Sequence, residues 1–389
     1  MADKKEIKSL FKIVEDYLSA TYDFQYNEIS NRHEYKEKNA NRWQALNENN
    51  IYRELQHQNF NFSLNNIVAL MKSDFVPKYN PFINYFESLP KWDGTDHIMS
   101  FSTYIKVKER ERFENHFKKM FVRTIACAID DKVFNKQALI FVHPVQNSGK
   151  STLCRFLVPN QLADYVTENI NTDKDSLISL CENLLIVLDE LATLTKVEIN
   201  GLKSIFSKET VKVRRPYERR PDMLPRRASF IGSTNKMEFL NDETGSVRWL
   251  CFELDSIDWN YSKNVSIDKV WGQAYSLYKD GFKYELTPDE IAENERVNRK
   301  YQVSTPEMEL IQRYLKQGTK DKHDEFWSST DIVSYLTAKS DRTIKLNVIQ
   351  VGKAMSVLGF NREQKYNGVY QEKGYYLSYL LKGDKSLII

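Results

Sequence analysis

The chain has few cysteines and no cysteine pairing. Cys127, Cys154, Cys181 and Cys251 stand far apart, and none belongs to a Cys-x-x-Cys pair. That spacing implies neither a disulfide framework nor a thiolate metal site. Long apolar runs are missing as well. None approaches the ~20 residues needed to cross a bilayer, and Met1-Ala-Asp-Lys-Lys lacks the apolar core of a secretory signal. The expected compartment is therefore the cytoplasm, with no membrane partner. No internal repeat or low-complexity tract is visible. A strong charge of one sign is also absent: the net charge is +3 and the pI about 8.4, which alone would not suggest nucleic-acid binding. What remains is 389 residues, 41% of them hydrophobic, with a mean hydropathy of −0.57. That length predicts two or three globular domains with real cores.

The most informative residues are Gly149-Lys150-Ser151-Thr152. They follow the β-branched apolar run 138–142 and open a stretch with helical character, 152–157. Strand, tight loop, Gly-Lys-Ser and helix is the build of a phosphate-binding loop. Backbone N–H groups of Gln146, Asn147, Ser148 and Gly149 would face phosphates, and glycine allows close approach. Lys150 would reach the β- and γ-phosphates, and the Ser151 hydroxyl would take a place on Mg²⁺. The expected cofactors are ATP and Mg²⁺, held by residues 146–152. The full signature also wants a glycine where this chain has Pro144.

Three further features follow in order. The apolar run 184–188 fits a strand buried on both faces and ends in Asp189-Glu190. Asp189 would hold Mg²⁺, directly or through water, and Glu190 would polarise the attacking water. A third strand, 228–232, leads to Ser233-Thr234-Asn235. As a lone residue Asn235 reads as a turn former; in this position it reads as a polar sensor of the γ-phosphate and lytic water. Arg248, just before the strand 250–254, could reach a neighbouring subunit's nucleotide and stabilise the transferred phosphoryl group.

At this point the chain resembles a known family. Arg214-Arg-Pro-Tyr217, Leu224-Pro-Arg-Arg-Ala-Ser-Phe-Ile-Gly-Ser-Thr-Asn235 and Phe239-Leu-Asn-Asp-Glu-Thr-Gly-Ser-Val-Arg-Trp249 are similar to segments of the virulence-associated protein E family. Its members are superfamily 3-like AAA+ ATPases of phages and mobile genetic elements. The segments 80–94 and 270–281 resemble its entry segment and closing helix, so the match spans roughly residues 75 to 300. The resemblance implies an ATP-driven ring, a hexamer, acting on DNA in replication or mobilisation. Pro144 departs from the family's first loop glycine. Val247 stands where many relatives carry a second arginine, so the finger role passes to Arg248 alone. Some relatives are fused to a primase, but the first 80 residues show no paired carboxylates on strands that could hold primase metals.

The charge is also uneven. From Gly201 to Arg227 there are nine basic residues against three acidic ones, a net +6 that leaves the rest at −3. Pro216, Pro221 and Pro225 make the middle of this segment a loop or hairpin. In a ring ATPase it would face the pore, where Lys203, Arg214, Arg215, Arg219 and Arg220 could hold phosphates and Tyr217 could stack on bases. DNA, single-stranded or forked, is the expected partner. The bland alternatives are a solvated charge run, or arginines that engage nucleotide or a neighbouring subunit.

The expected fold class is α/β: a P-loop AAA+ core with a parallel sheet flanked by helices, plus an α+β N-terminal module and a winged-helix-like C-terminal domain. The boundaries fall at 1–75, 76–304 and 305–389. The N-terminal part predicts a helix over 4–20, a strand pair in 22–35 and two helices in 49–70. A helix over 114–130 precedes the first core strand. The tail predicts helices near 307–316, 331–338 and 346–358, then strands 368–372 and 374–381 around a Lys373-Gly374 turn. Such a domain serves DNA or protein contacts. The leading function is a DNA-translocating ATPase, a helicase or replication initiator. A non-motor, ATP-assembled DNA scaffold is the second reading. A P-loop small-molecule kinase is third, and would leave the basic hairpin, Arg248 and the tail without roles.

Overall fold

The computed structural model of the chain describes residues 9–171, 173–189, 191, 196–215, 220–240, 247–340, 344–366 and 368–380. Their buried hydrophobic side chains form four clusters, whose members follow chain order except for Ile29, which joins the central cluster, and where two of them line opposite faces of one sheet.

The first cluster belongs to α1 (Leu10–Thr21), β1 (Tyr22–Asn27), β2 (Arg32–Glu37), β3 (Gln44–Ala45), α2 (Glu48–His57), α3 (Leu64–Met71) and β4 (Lys78–Tyr79). The sheet order is β3-β2-β1-β4. Ser9 caps α1 by accepting from the Lys12 amide, and Ser63 caps α3 by accepting from the Asn66 amide. Val14, Leu18, Ile51, Leu55, Ile67 and Leu70 pack beneath the sheet.

Next come α4 (Pro81–Ser88), α5 (His97–Ser102), β5 (Ile105–Val107), α6 (Arg110–Ile129), β6 (Ala138–Val142), α7 (Lys150–Phe156), β7 (Val166–Glu168), α8 (Lys174–Glu182), β8 (Leu185–Leu188), α9 (Lys196–Phe206), β9 (Thr210–Val213), β10 (Asp222–Pro225), β11 (Ser229–Thr234), β12 (Trp249–Ile257), α10 (Tyr261–Asn264), α11 (Ile267–Lys279) and α12 (Pro288–Asn298). Six strands form one sheet in the order β5-β12-β6-β11-β8-β7. All but the antiparallel edge strand β5 run parallel.

The sequence of β6 shows why such a strand is apolar throughout. Leu139 and Phe141 enter the cluster on one face, while Ala138, Ile140 and Val142 enter the cluster on the other. Both faces are covered, so no position is left for a polar residue. Helix α6 is likewise buried over most of its surface, charged residues Arg112, Lys119 and Arg123 included. The reason is α12, which closes over its charged side. Lys119 Nζ donates to both Glu290 carboxylate oxygens at 2.7 and 2.8 Å, and Arg112 Nη2 donates to Asn294 Oδ1 at 2.6 Å.

The last cluster is built by α13 (Pro306–Tyr314), β13 (Leu315–Gln317), β14 (Glu325–Trp327), α14 (Ser329–Lys339), α15 (Val348–Val357), β15 (Glu363–Tyr366) and β16 (Gln371–Tyr379). One expectation is corrected here. The turn between the final strands is not at Lys373-Gly374, which lie inside β16, where Gly374 pairs with Glu363. A Cβ on Gly374 would stand 2.6 Å from the Trp327 carbonyl oxygen, so this glycine serves close backbone approach.

Candidate functional site

In chain order the five parallel strands β6, β7, β8, β11 and β12 lie in the spatial order 5-1-4-3-2. β6 is flanked by β11 and β12 and not by its successor β7, so its C-terminal end is a topological switch point. Open α/β sheets bind ligands at such points. The loop leaving β6 turns back with Asn147 at φ 56° and Gly149 at φ 86°, and Gly149 caps α7.

Lys150 is buried, with 7% of its surface exposed. Its ammonium donates to the carbonyls of His143 (3.2 Å) and Val145 (3.0 Å) and to Ser148 Oγ (2.9 Å). Burial lowers its pKa and the Asp189 charge opposes that shift. Behind it, the Ser151 hydroxyl donates to Asp189 Oδ1 at 2.7 Å, and the Ser233 hydroxyl donates to the same oxygen at 2.6 Å. The Asp189 amide donates to Asn169 Oδ1 at 3.0 Å, which fixes the strand end that carries the carboxylate. Arg155, on α7, lies 3.9 Å from Asp189 Oδ2 and pairs with Glu168. Ser148, Lys150, Ser151, Arg155, Asp189 and Ser233 line a cleft of about 350 Å³ that also takes in Gln146, Asn147, Thr152 and Asn235.

The fold thus brings together residues 146–152, Asp189 and Asn235. Glu190, Tyr217 and Arg219 lie outside the described residues. Arg248 is not at the cleft. Its carbonyl accepts from the Ala138 amide, at the opposite end of β6, and its Nη2 donates to Ser207 Oγ at 3.0 Å. The hairpin β9–β10 lies at that opposite end too, because the chain leaving it pairs with Leu180 and Leu184 before β11 begins.

Within the basic segment, Arg214 and Arg220 are exposed and Lys203 is half-buried. Arg215 is placed differently: it pairs with Glu182 at 3.1 Å and donates to the Ile29 carbonyl at 3.1 Å. It ties the hairpin to the N-terminal module. Arg226 is fully buried and donates to the Phe206 carbonyl at 2.7 Å, and Arg227 to the Ala128 carbonyl at 2.8 Å. Three of the nine basic residues in the +6 segment therefore hold the fold together.

Sequence reasoning missed Ser233, Arg155 and Asn169. Ser233 carried a usable signal, a hydroxyl at the end of the strand that leads to Asn235. Arg155 and Asn169 carried none. Among the described residues no group of three or more His, Cys, Asp or Glu side chains is arranged to hold a metal by itself, and no helix is long and apolar enough to cross a membrane.

The Virulence-associated protein E-like domain matches residues 86–303, more than half of the chain. The chain belongs to the virulence-associated protein E-like family. That stretch holds the whole six-stranded sheet and the cleft. A comparison with curated proteins finds no match. Among solved structures, the apo structure of the NrS-1 C-terminal region is 12% identical over 96% of this chain and 100% of that one, with a TM-score of 0.49. An A-form apo structure of the same region is 13% identical over 95% and 99%, with a TM-score of 0.46. The X-ray structure of JCV Helicase is 14% identical over 59% and 69%, with a TM-score of 0.30.

Proposed function

We propose that this virulence-associated protein E-like chain is an ATP-hydrolysing DNA motor, a helicase or replication initiator of a mobile element. It works as a ring, with a P-loop AAA+ core over 76–304 and a winged-helix domain over 305–389. The observation that carries the reading is the convergence of the Ser151 and Ser233 hydroxyls on one oxygen of Asp189, beside the buried ammonium of Lys150, at the switch point of a parallel sheet.

Two hydroxyls and a carboxylate form an all-oxygen donor set. That suits Mg²⁺, which takes one or two protein carboxylates and completes its shell with phosphates and water. Ser151 and Asp189 would hold the ion; when bound it neutralises charge across the β- and γ-phosphates. The chain's own groups do the rest. Loop amides of residues 146–149 bind the phosphates and Lys150 supplies a cation. Asn235 holds the γ-phosphate and the water, and Glu190 takes the water's proton. DNA is gripped by the exposed arginines of the hairpin, Arg214 and Arg220, on the side of the sheet away from the cleft.

Glu190→Gln should bind Mg²⁺–ATP as wild type does and lose turnover, because an amide cannot accept the proton. Lys150→Ala should lose binding. Calorimetric affinities alongside phosphate release check both, and hydrolysis at the wild-type rate by Glu190→Gln would overturn the assignment. ATP-dependent strand displacement by purified protein separates a motor from an ATP-assembled scaffold.

A further inference from the structure

Among the described residues, the twelve that line the cleft include no aromatic and no aliphatic residue. The cleft is equipped for phosphate, and its described lining gives a purine ring no π-surface. An aromatic surface exists next to it. β12 pairs with β6 as far as Glu253 opposite Val142, then continues to Ile257 against β5, so it overhangs the start of the loop. There the chain turns. The Asp258 amide donates to the Tyr104 carbonyl at 2.8 Å, and Asp258 Oδ1 accepts from the Asn260 amide at 3.0 Å. Trp259 projects from this turn onto the loop: a Cβ on Gly149 would stand 2.6 Å from two carbons of its ring. Tyr261, itself buried, lies near-parallel to the indole at 23°, with centroids 6.4 Å apart, and packs edge-on against Phe156 of α7. Yet Trp259 remains 52% exposed. A large apolar ring is thus held in a fixed place beside the phosphate loop, with half its surface open.

We propose that Trp259 is the platform on which the base of the bound nucleotide stacks. The inference rests on the nucleotide reading above and adds the residue that recognises the base. A nucleotide whose phosphates lie along residues 146–150 must place its base next to this loop. Stacking on an indole face is worth about 1–3 kcal/mol per base by alanine substitution and tolerates any base, because every base has a π-face. Asn260 does not add an obvious reader, since its side-chain amide donates to Asp258 Oδ1 at 2.9 Å.

The test compares Mg²⁺–ATP with Mg²⁺–tripolyphosphate, which has the phosphates and no base, by calorimetry on the full chain. Trp259→Ala should weaken ATP by about 5- to 150-fold, the range set by the stacking energy, and leave tripolyphosphate unchanged. Trp259→Phe should recover most of the ATP affinity. Quenching of tryptophan fluorescence by ATP should be seen in wild type and reduced in Trp259→Phe. Equal ATP affinity in wild type and Trp259→Ala would overturn the proposal. So would equal losses for both ligands, which would make Trp259 a prop for the loop. A wild-type chain that binds neither ligand would overturn the nucleotide reading itself, and this inference with it.

Discussion

Arg248 gives the sharpest test of the ring. Its backbone pairs with Ala138, whereas the loop leaves β6 after Val142. Four residue steps along a parallel strand span about 13 Å. An extended arginine side chain reaches about 7 Å from its Cα, counted as six bonds of ordinary length. Arg248 therefore cannot serve the cleft of its own chain, and a catalytic role requires a neighbouring subunit. Arg248→Ala should lower turnover by about 10³-fold or more, as the loss of arginine fingers does. Glu190→Gln should be inactive for a different reason. In a randomly mixed head-to-tail ring of equal parts, roughly one interface in four sets an intact Glu190 against an intact Arg248. Mixing two inactive proteins should then restore about a quarter of wild-type phosphate release, at concentrations where the ring forms. A mixture that stays at the sum of its parents, or Arg248→Ala with a wild-type rate, would refute the argument.

The arginines of the basic segment should divide into two groups. Replacing Arg214 and Arg220 by alanine should flatten the slope of log DNA affinity against log salt by roughly 1.4–1.8, as expected for two lost phosphate contacts; fluorescence anisotropy across a salt series measures it. Arg215→Ala should leave that slope alone and lower stability, read from urea unfolding, by about 1–3 kcal/mol, because Glu182 and the Ile29 carbonyl lose their donor; a flattened slope would contradict this placement. His116 should make stability fall in mild acid. Burial, reinforced by the charge of Arg112, pushes its pKa from 6.5 down to about 4. Below pH 6.5 the unfolded chain therefore takes up a proton that the folded chain refuses, and stability drops by about 1.4 kcal/mol per unit until pH 4. His116→Phe should flatten the urea midpoint against pH over this window, and an unchanged slope would rule the assignment out.

The strands and the loop were legible because they are local. β6 and β8 are continuous apolar runs, β11 carries an apolar centre, and Gly149-Lys150-Ser151 follows β6 after a six-residue loop. Asp189 and Asn235 could be placed at strand ends for the same reason. The pairing of β6 with β11 and β12 was not legible, since it depends on which strands meet across the sheet. The fates of Arg215 and Arg226 were equally hidden. A charge count sees nine cations, but only the packing reveals that Glu182 and the Phe206 carbonyl already hold two of them. Gly374 misled because a glycine after lysine between two strand-like runs reads as a turn, while its actual neighbour, the Trp327 carbonyl, lies 47 positions earlier in the chain.

The charged groups at the centre of the cleft are matched with their neighbours. Lys150 has three donors and three acceptors within 3.2 Å, and Asp189 Oδ1 already takes two hydroxyl protons. On the proposed reading a triphosphate and its metal would enter by exchanging partners and leave by restoring them, so neither direction would strand a buried charge. Net affinity is the difference between two well-bonded arrangements and is smaller than a count of contacts to the phosphates would suggest. Release of spent nucleotide would be correspondingly easy, as the repeated cycles of the proposed motor require.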